Sequence, residues 1–265
     1  LSMGTTTDNT LMCPYHGWVY DKAGQCIRIP AHPEQTPPTK ARVKTYLAQE
    51  RYNLVWVSLG QPAHDIPSFP EWEDDSYRRI LCGPYDFKAA GPRAIENFLD
   101  VAHFPYVHAG LLGDPQYPEI EEYEARVEPE GVVAEGISVW QPNPDGSGHG
   151  AKVTYTYRVC RPLTAYFTNT SAGPSFAAYF PLAPVEERVS RGWRWLAMNY
   201  GYDTPAEEMR AFESEVTAQD VPIVESQRPE LLPLDLQAEL HLRSDRTAIA
   251  YRQWLKKLGL TFGTA

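Results

Sequence analysis

The chain has 265 residues, with 24 Lys and Arg against 34 Asp and Glu, for a formal charge of −10. That balance argues against nucleic acid or an anionic membrane as partner, since both select clustered positive charge. At 43% hydrophobic and 22% charged residues the chain can bury a sizeable core, and it contains no apolar run long enough to span a bilayer.

Residues Leu1 to Thr7 have neither the basic start nor the apolar stretch of a signal peptide. The cysteines at positions 13, 26, 82 and 160 are irregularly spaced. They read as thiols or metal ligands of a cytoplasmic protein rather than as a disulfide framework. Along residues 1–60, strands are expected at Trp18–Tyr20, Arg42–Leu47 and Asn53–Leu59, with turns at Asp21–Gly24 and Pro30–Pro38. The proline-rich stretch from Gln61 to Trp72 reads as part of a linker over 61–85. A helix is expected over Ala94–Val101, after Gly91-Pro92. Alternating runs between Glu121 and Tyr200, such as Val153-Tyr155-Tyr157-Val159 and Trp193-Trp195-Ala197, predict an antiparallel sheet of about five or six strands. Asn143 to Gly148 is a turn between two of them. Thr204-Pro205-Ala206-Glu207 predicts a capping box and a helix running past Asp220 to Pro222. A last helix starts at Ser244-Asp245, offers Ile249, Trp254, Leu255 and Leu258 for burial, and stops at Gly259.

Two groups of residues carry metal-ligand chemistry. Cys13-Pro14-Tyr15-His16-Gly17 can aim a thiolate and an imidazole at one site from a tight loop, stiffened by Pro14 and opened by Gly17. A buried cysteine beside an incidental histidine, or half of a zinc site, fits the same pattern, because a structural metal takes four ligands. The second group runs from Glu96 to His108. Asn97, Asp100 and His103 share one face of a continuous helix. Pro105 breaks regularity beyond them and lets His108 return toward His103. Two neutral histidines suit iron, copper, zinc or nickel, and with one carboxylate they form the facial triad of non-haem iron(II) oxygenases. Asp220 is the best third ligand, an acid among apolar neighbours that is costly unless paired or bound to metal. Glu213, Glu215 and Glu225 compete with it.

CPYHGWVYD, NFLDVAHFPYVH and AQDVPIVESQ, in that order, resemble the catalytic α subunit of Rieske non-haem iron oxygenases over nearly the whole chain. The spacing N-x-x-D-x-x-H-x-x-x-x-H is similar to that of the phthalate dioxygenase, vanillate O-demethylase and dicamba monooxygenase branch. The resemblance implies an α+β chain: a partial Rieske β domain over 1–60, a linker over 61–85, and over 86–265 a helix-grip domain with an antiparallel sheet and flanking helices. It makes Cys13 and His16 ligands of a [2Fe–2S] cluster, which takes two cysteines on one iron and two histidines on the other. It makes His103, His108 and Asp220 the ligands of a mononuclear Fe(II). Asp100 would link a cluster histidine of one subunit to an iron histidine of the next, and Asn97 would stand beside the iron site. The family's first C-x-H pair lies further from the second than the twelve residues before Cys13 allow. Two cluster ligands are therefore expected upstream of Leu1, with the chain truncated at its N-terminus.

The implied activity is O2- and reductant-dependent hydroxylation or demethylation of an aromatic or related apolar small molecule. Electrons come from NAD(P)H through a reductase or ferredoxin, in a cytoplasmic homotrimer with neither nucleic-acid nor membrane partner. The shorter Asn–Asp spacing favours demethylation over cis-dihydroxylation of a ring. The pocket is expected between the sheet and the iron-bearing helices, with Phe98, Tyr106, Trp195 and Asn199 as wall candidates. A ligand-binding module with structural histidines, or a zinc protein, would also fit the bare residue pattern.

Overall fold

The early part of the chain is cut into short strands by its turn residues. The computed structural model describes residues 1–144, 146–170 and 174–265, and divides into Leu1–Ile66 and Pro67–Ala265. In the first unit, β1 (Thr5–Thr7), β2 (Thr10–Met12), β3 (Val19–Tyr20) and β4 (Cys26–Arg28) form an antiparallel sheet in that order. Asp8 and Asn9 turn β1 into β2 with φ of 49° and 60°, the left-handed pair that a tight hairpin needs. The predicted turn at Asp21 forms, with Asp21 Oδ1 accepting the amides of Ala23 and Gln25, each at 2.9 Å.

A separate hairpin pairs β5 (Leu47–Arg51) with β6 (Leu54–Ser58). The strand expected over Arg42–Leu47 therefore begins only at Leu47. Upstream, the backbone is drawn to the β3–β4 region instead: Cys26 N–H donates to Ala41 O at 2.8 Å and Val43 N–H to Gly24 O at 2.9 Å.

In the second unit, among the described residues, seven strands form one antiparallel sheet. They are β7 (Arg78–Phe87), β8 (Glu124–Glu128), β9 (Gly131–Gln141), β10 (Ala151–Arg161), β11 (Thr164–Thr170), β12 (Ser175–Glu186) and β13 (Val189–Met198). Their order is β7-β13-β12-β11-β10-β9-β8. Six of them lie in the span read as strands from the sequence. The seventh, β7, begins inside the span read as a linker over 61–85. The chain divides after Ile66, Phe69 is 1% exposed and stacks on Tyr179 at 4.9 Å, and Ile80 and Cys82 are core residues. Pro84 interrupts the alternation of that strand, and Pro67 and Pro70 shortly before it give the stretch the look of a linker. Val153, Tyr155, Tyr157 and Val159 all point to the buried face, as their period of two requires. Of the turn expected over Asn143–Gly148, Asp145 lies outside the described residues.

Among the described residues, four α-helices accompany this sheet: α1 (Gly91–Leu99), α2 (Phe104–Val107), α3 (Ala206–Ser226) and α4 (Arg246–Leu258). Pro92 sits in the first turn of α1, where its missing N–H costs nothing. Gly91 lets α1 approach the sheet: a Cβ there would lie 2.8 Å from Leu163 and 2.9 Å from Leu182. The capping box expected at Thr204 does not form. α3 starts after Pro205 with no side-chain cap, and it runs through Pro222 to Ser226.

α4 packs on β8 and β9 and ends at Gly259 with φ +69°. Trp254 and Leu255 are buried as expected, with Ala250 and Tyr251 beside them, whereas Leu258 is exposed. Burial of side chains such as Leu255 stabilises the fold by about 1.5–3 kcal/mol each. Among the described residues, no helix is long and apolar enough to cross a membrane.

Candidate metal centre and substrate cavity

The helix carrying Asn97 does not continue through His103. It ends at Leu99, and Asp100 turns extended with ψ 132°. Asp100 Oδ1 accepts the Ala102 amide at 2.8 Å, a local bond that competes with helix continuation. α2 then restarts at Phe104 with Pro105 in its first turn. The break thus falls at Asp100, five residues earlier than the proline suggests, and it brings the two imidazoles together.

His103 Nε2 and His108 Nε2 lie 3.2 Å apart. Asp220 Oδ1, from the middle of α3, lies 3.4 Å from the first and 3.1 Å from the second. Among the described residues, these three form the one group of three or more donors that gathers as a metal site would. Each ring is held from behind. His103 Nδ1–H donates to Asp100 Oδ2 at 3.0 Å, and His108 Nδ1–H donates to Gln219 Oε1 at 2.7 Å. With both Nδ1 atoms donating, the neutral rings present their Nε2 lone pairs toward one point beside a carboxylate oxygen. Asn97 Nδ2 donates to the same Asp220 oxygen at 3.5 Å.

Electrostatics agree with this arrangement. Burial pushes the His103 imidazole down, but the hydrogen bonds and charges of Asp100 and Asp220 outweigh it and raise it to about 9. Burial raises the Asp220 carboxyl, yet His103 and His108 hold it well below the usual carboxylate range. The trio therefore attracts positive charge, and two imidazoles plus one carboxylate fit ferrous iron. Glu213, Glu215 and Glu225 do not join it. Gln219 escaped the sequence reading, although its place beside the candidate acid was a usable signal.

In the first unit, Cys13 and His16 stand on one tight loop closed by Gly17 N–H donating to Cys13 O at 2.9 Å. Cys13 is half-buried and His16 exposed. They offer one thiolate and one imidazole, half of a Rieske cluster's donor set. All four cysteines are free thiols.

A cavity of about 510 Å³ opens beside the three candidate ligands. Phe98, Phe104, Phe167, Phe176, Met198 and Phe212 supply much of its apolar wall. Its polar groups are fewer. Gln141 Nε2 donates to Tyr155 OH at 2.7 Å, and Asn169 stands opposite Tyr155 on β11. Burial pushes the Tyr155 phenol up to about 12. Arg194 on β13 is ion-paired with Glu213 on α3, whose carboxylate also accepts from Thr217 at 3.4 Å. Burial raises the Glu213 carboxyl, while the guanidinium of Arg194 opposes that shift. Arg194 Nε and Tyr157 OH are buried with no hydrogen-bond partner.

Of the expected wall residues only Phe98 lines this cavity. Tyr106 is 66% exposed, and Asn199 Oδ1 accepts the Ser175 amide. Trp195 packs edge-on against Trp72 at 5.1 Å, because Arg194 and Met198 take the cavity face of β13 and the odd positions point the other way.

The family of the vanillate O-demethylase oxygenase C-terminal domain matches residues 87–261, and the Rieske [2Fe-2S] domain family matches residues 1–47. The methylxanthine N1-demethylase NdmA of Pseudomonas putida is 31% identical over 265 residues, covering 97% of this chain and 73% of the relative. The methylxanthine N3-demethylase NdmB of the same species is 28% identical, covering 98% and 74%. The solved structure of P. putida CBB5 NdmA with caffeine superposes with a TM-score of 0.85 at 30% identity, covering 97% of this chain and 74% of that one.

Proposed function

The chain belongs to the Rieske non-haem iron oxygenases, with a catalytic domain of the vanillate O-demethylase type, and on that premise we propose that it removes a methyl group from a compact aromatic or heteroaromatic molecule. As a terminal oxygenase component it takes electrons from a reductase and uses O2. The family's Rieske domains carry a [2Fe–2S] cluster and its catalytic domains a mononuclear iron.

His103, His108 and Asp220 are proposed to hold the iron. The observation that carries this is the convergence of two Nε2 atoms and one carboxylate oxygen, with both Nδ1 protons already given to Asp100 and Gln219. Bound there, ferrous iron supplies O2 activation with electrons delivered by the cluster. The chain's own residues do the rest. Asp100 and Gln219 fix the tautomers and orient the rings. Asn97 steadies the liganding oxygen of Asp220. The aromatic wall excludes water and presses a planar substrate into place.

In the balanced reaction, the methyl substrate, O2, two electrons and two protons give the demethylated product, formaldehyde and one water. One oxygen atom enters the methyl C–H bond, and the hydroxymethyl group then leaves as formaldehyde, returning a proton to its nitrogen or oxygen.

Cys13 and His16 are proposed as cluster ligands. The Asp100 side chain is 36% exposed while holding His103, which suits an electron entry point reached from a neighbouring subunit of a homotrimer. Four free thiols suit a cytoplasmic setting. Incubation with reductase, NAD(P)H and a panel of N-methyl and O-methyl aromatics tests the activity. Formaldehyde in step with substrate loss is expected. A cis-dihydrodiol without formaldehyde would replace the proposal with ring dihydroxylation.

A further inference from the structure

The cavity beside the three candidate ligands is lined, among the described residues, by a single Lys or Arg, and that residue is already neutralised. Arg194 enters from β13, is 92% buried by its 8% exposure, and is paired with Glu213 from α3, itself 5% exposed. Its guanidinium lies over the rings of Phe98 and Phe180, at 5.0 and 4.9 Å from their centroids. Glu208, exposed, joins Glu213 and Asp220 as a third carboxylate of the lining. An incoming carboxylate or sulfonate would thus lose its hydration in an aromatic cavity whose one guanidinium is taken, and a buried unpaired charge is strongly disfavoured.

The remaining polar groups suit a neutral ligand. Gln141, Tyr155 and Asn169 sit on the adjacent strands β9, β10 and β11, bringing amide, phenol and amide to the lining. Tyr157 OH and Arg194 Nε are buried donors lacking a partner. A carbonyl oxygen satisfies such a donor without bringing a net charge.

We propose that Glu213 sets the charge selectivity of this cavity: by holding Arg194, it restricts the site to neutral, carbonyl-bearing planar rings and rejects aromatic carboxylates and sulfonates. This rests on the oxygenase reading for the location of the site, and it concerns which molecules enter rather than what happens to them. It makes Glu213, read from the sequence only as a rival metal ligand, a specificity-determining residue. Removing its charge frees the guanidinium for an anion, and a bidentate guanidinium–carboxylate pair is the interaction an aromatic acid would then gain.

The test is equilibrium binding to the iron-loaded protein, with benzamide and N-methylphthalimide as neutral probes and benzoate and benzenesulfonate as anionic ones. The wild type is expected to bind the anions at least about tenfold more weakly than the neutral probes, a difference of about 1.4 kcal/mol. Glu213→Gln should tighten benzoate at least about tenfold, with benzamide changing less than about threefold. Contacts of the anion with iron are common to both proteins and cancel in that comparison. The double variant Arg194→Met with Glu213→Met should reject benzoate as the wild type does, and it keeps the test open if Glu213→Gln does not fold. Equal binding of benzoate and benzamide by the wild type overturns the proposal, as does a Glu213→Gln protein, or in its place a double variant, whose probe preference departs from these expectations. Binding needs no turnover. Loss of formaldehyde formation with charge selectivity intact would therefore count against demethylation alone.

Discussion

Gln219→Leu removes the one acceptor that fixes His108. Nδ1–H of that ring donates to Gln219 Oε1 at 2.7 Å, and His108 is 1% exposed, so water cannot take the acceptor's place. A buried donor left without a partner costs about 1–3 kcal/mol. The cost can be relieved if the ring moves its proton to Nε2, the atom facing His103 and Asp220, and that spoils the donor set. Partners of this kind are worth about 10- to 100-fold in metal affinity, or about 1.4–2.8 kcal/mol. The assay is retention of iron against a graded chelator, with thermal unfolding of the metal-free protein measured in parallel to separate affinity from folding. Gln219→Glu keeps an acceptor at the same reach and should hold iron within about threefold of wild type. A Gln219→Leu protein with wild-type iron affinity would refute both the tautomer assignment and the orienting role of this side chain.

Chelation of the iron should lower the melting temperature. At about 100 times its dissociation constant a bound ion stabilises by about 2.7 kcal/mol, or about 5–10 °C for a domain of this size; a melting curve unchanged by chelator would remove His103, His108 and Asp220 from the ligand set. Gly131→Ala would place a Cβ 2.0 Å from the carbonyl oxygen of Val159. Backbone cannot yield there as a side-chain end could, so a loss of about 1–3 kcal/mol is expected in urea unfolding, and an unshifted midpoint would show that β9 and β10 are less tightly paired than described. Asp100→Ala removes the acceptor for His103 Nδ1–H. Reductant-driven turnover should fall at least about tenfold while binding of a neutral probe holds, and turnover equal to wild type would end its role as a positioning group.

The motif residues were legible in the sequence because their chemistry is local: Asn97, Asp100, His103 and His108 lie within one short stretch, and Asp220 is an acid that burial makes expensive. Their geometry was not. Pro105 announces a break, yet the chain departs from the helix at Asp100, whose own side chain captures the Ala102 amide. Alternation along β10 was plain. Along β13 the large tryptophans suggested the wrong face, since they cover the far side of the sheet with Trp72 and leave the cavity to Arg194 and Met198. The strand Arg78–Phe87 was hidden by Pro84 within it and the proline-rich stretch before it, and its place became visible through its pairing with β13. Gln219 could have been found from its place directly before Asp220, whereas the Arg194–Glu213 pair depends on a contact between distant elements that no local pattern reveals.

α3 carries Glu213 and Asp220 seven residues apart, close to two helical turns and about 10 Å along the axis. The helix therefore works as a ruler that sets the distance between the group proposed to choose the guest and the group proposed to hold the metal. Exchanges at position 213 leave that length untouched, so descendants of this chain can acquire new tastes in charge by point substitution. An inserted or deleted residue between the two would swing one of them by about 100°, losing either selectivity or iron at a stroke. Diversity among homologues should accordingly appear in this segment as changes of letter and never as changes of length.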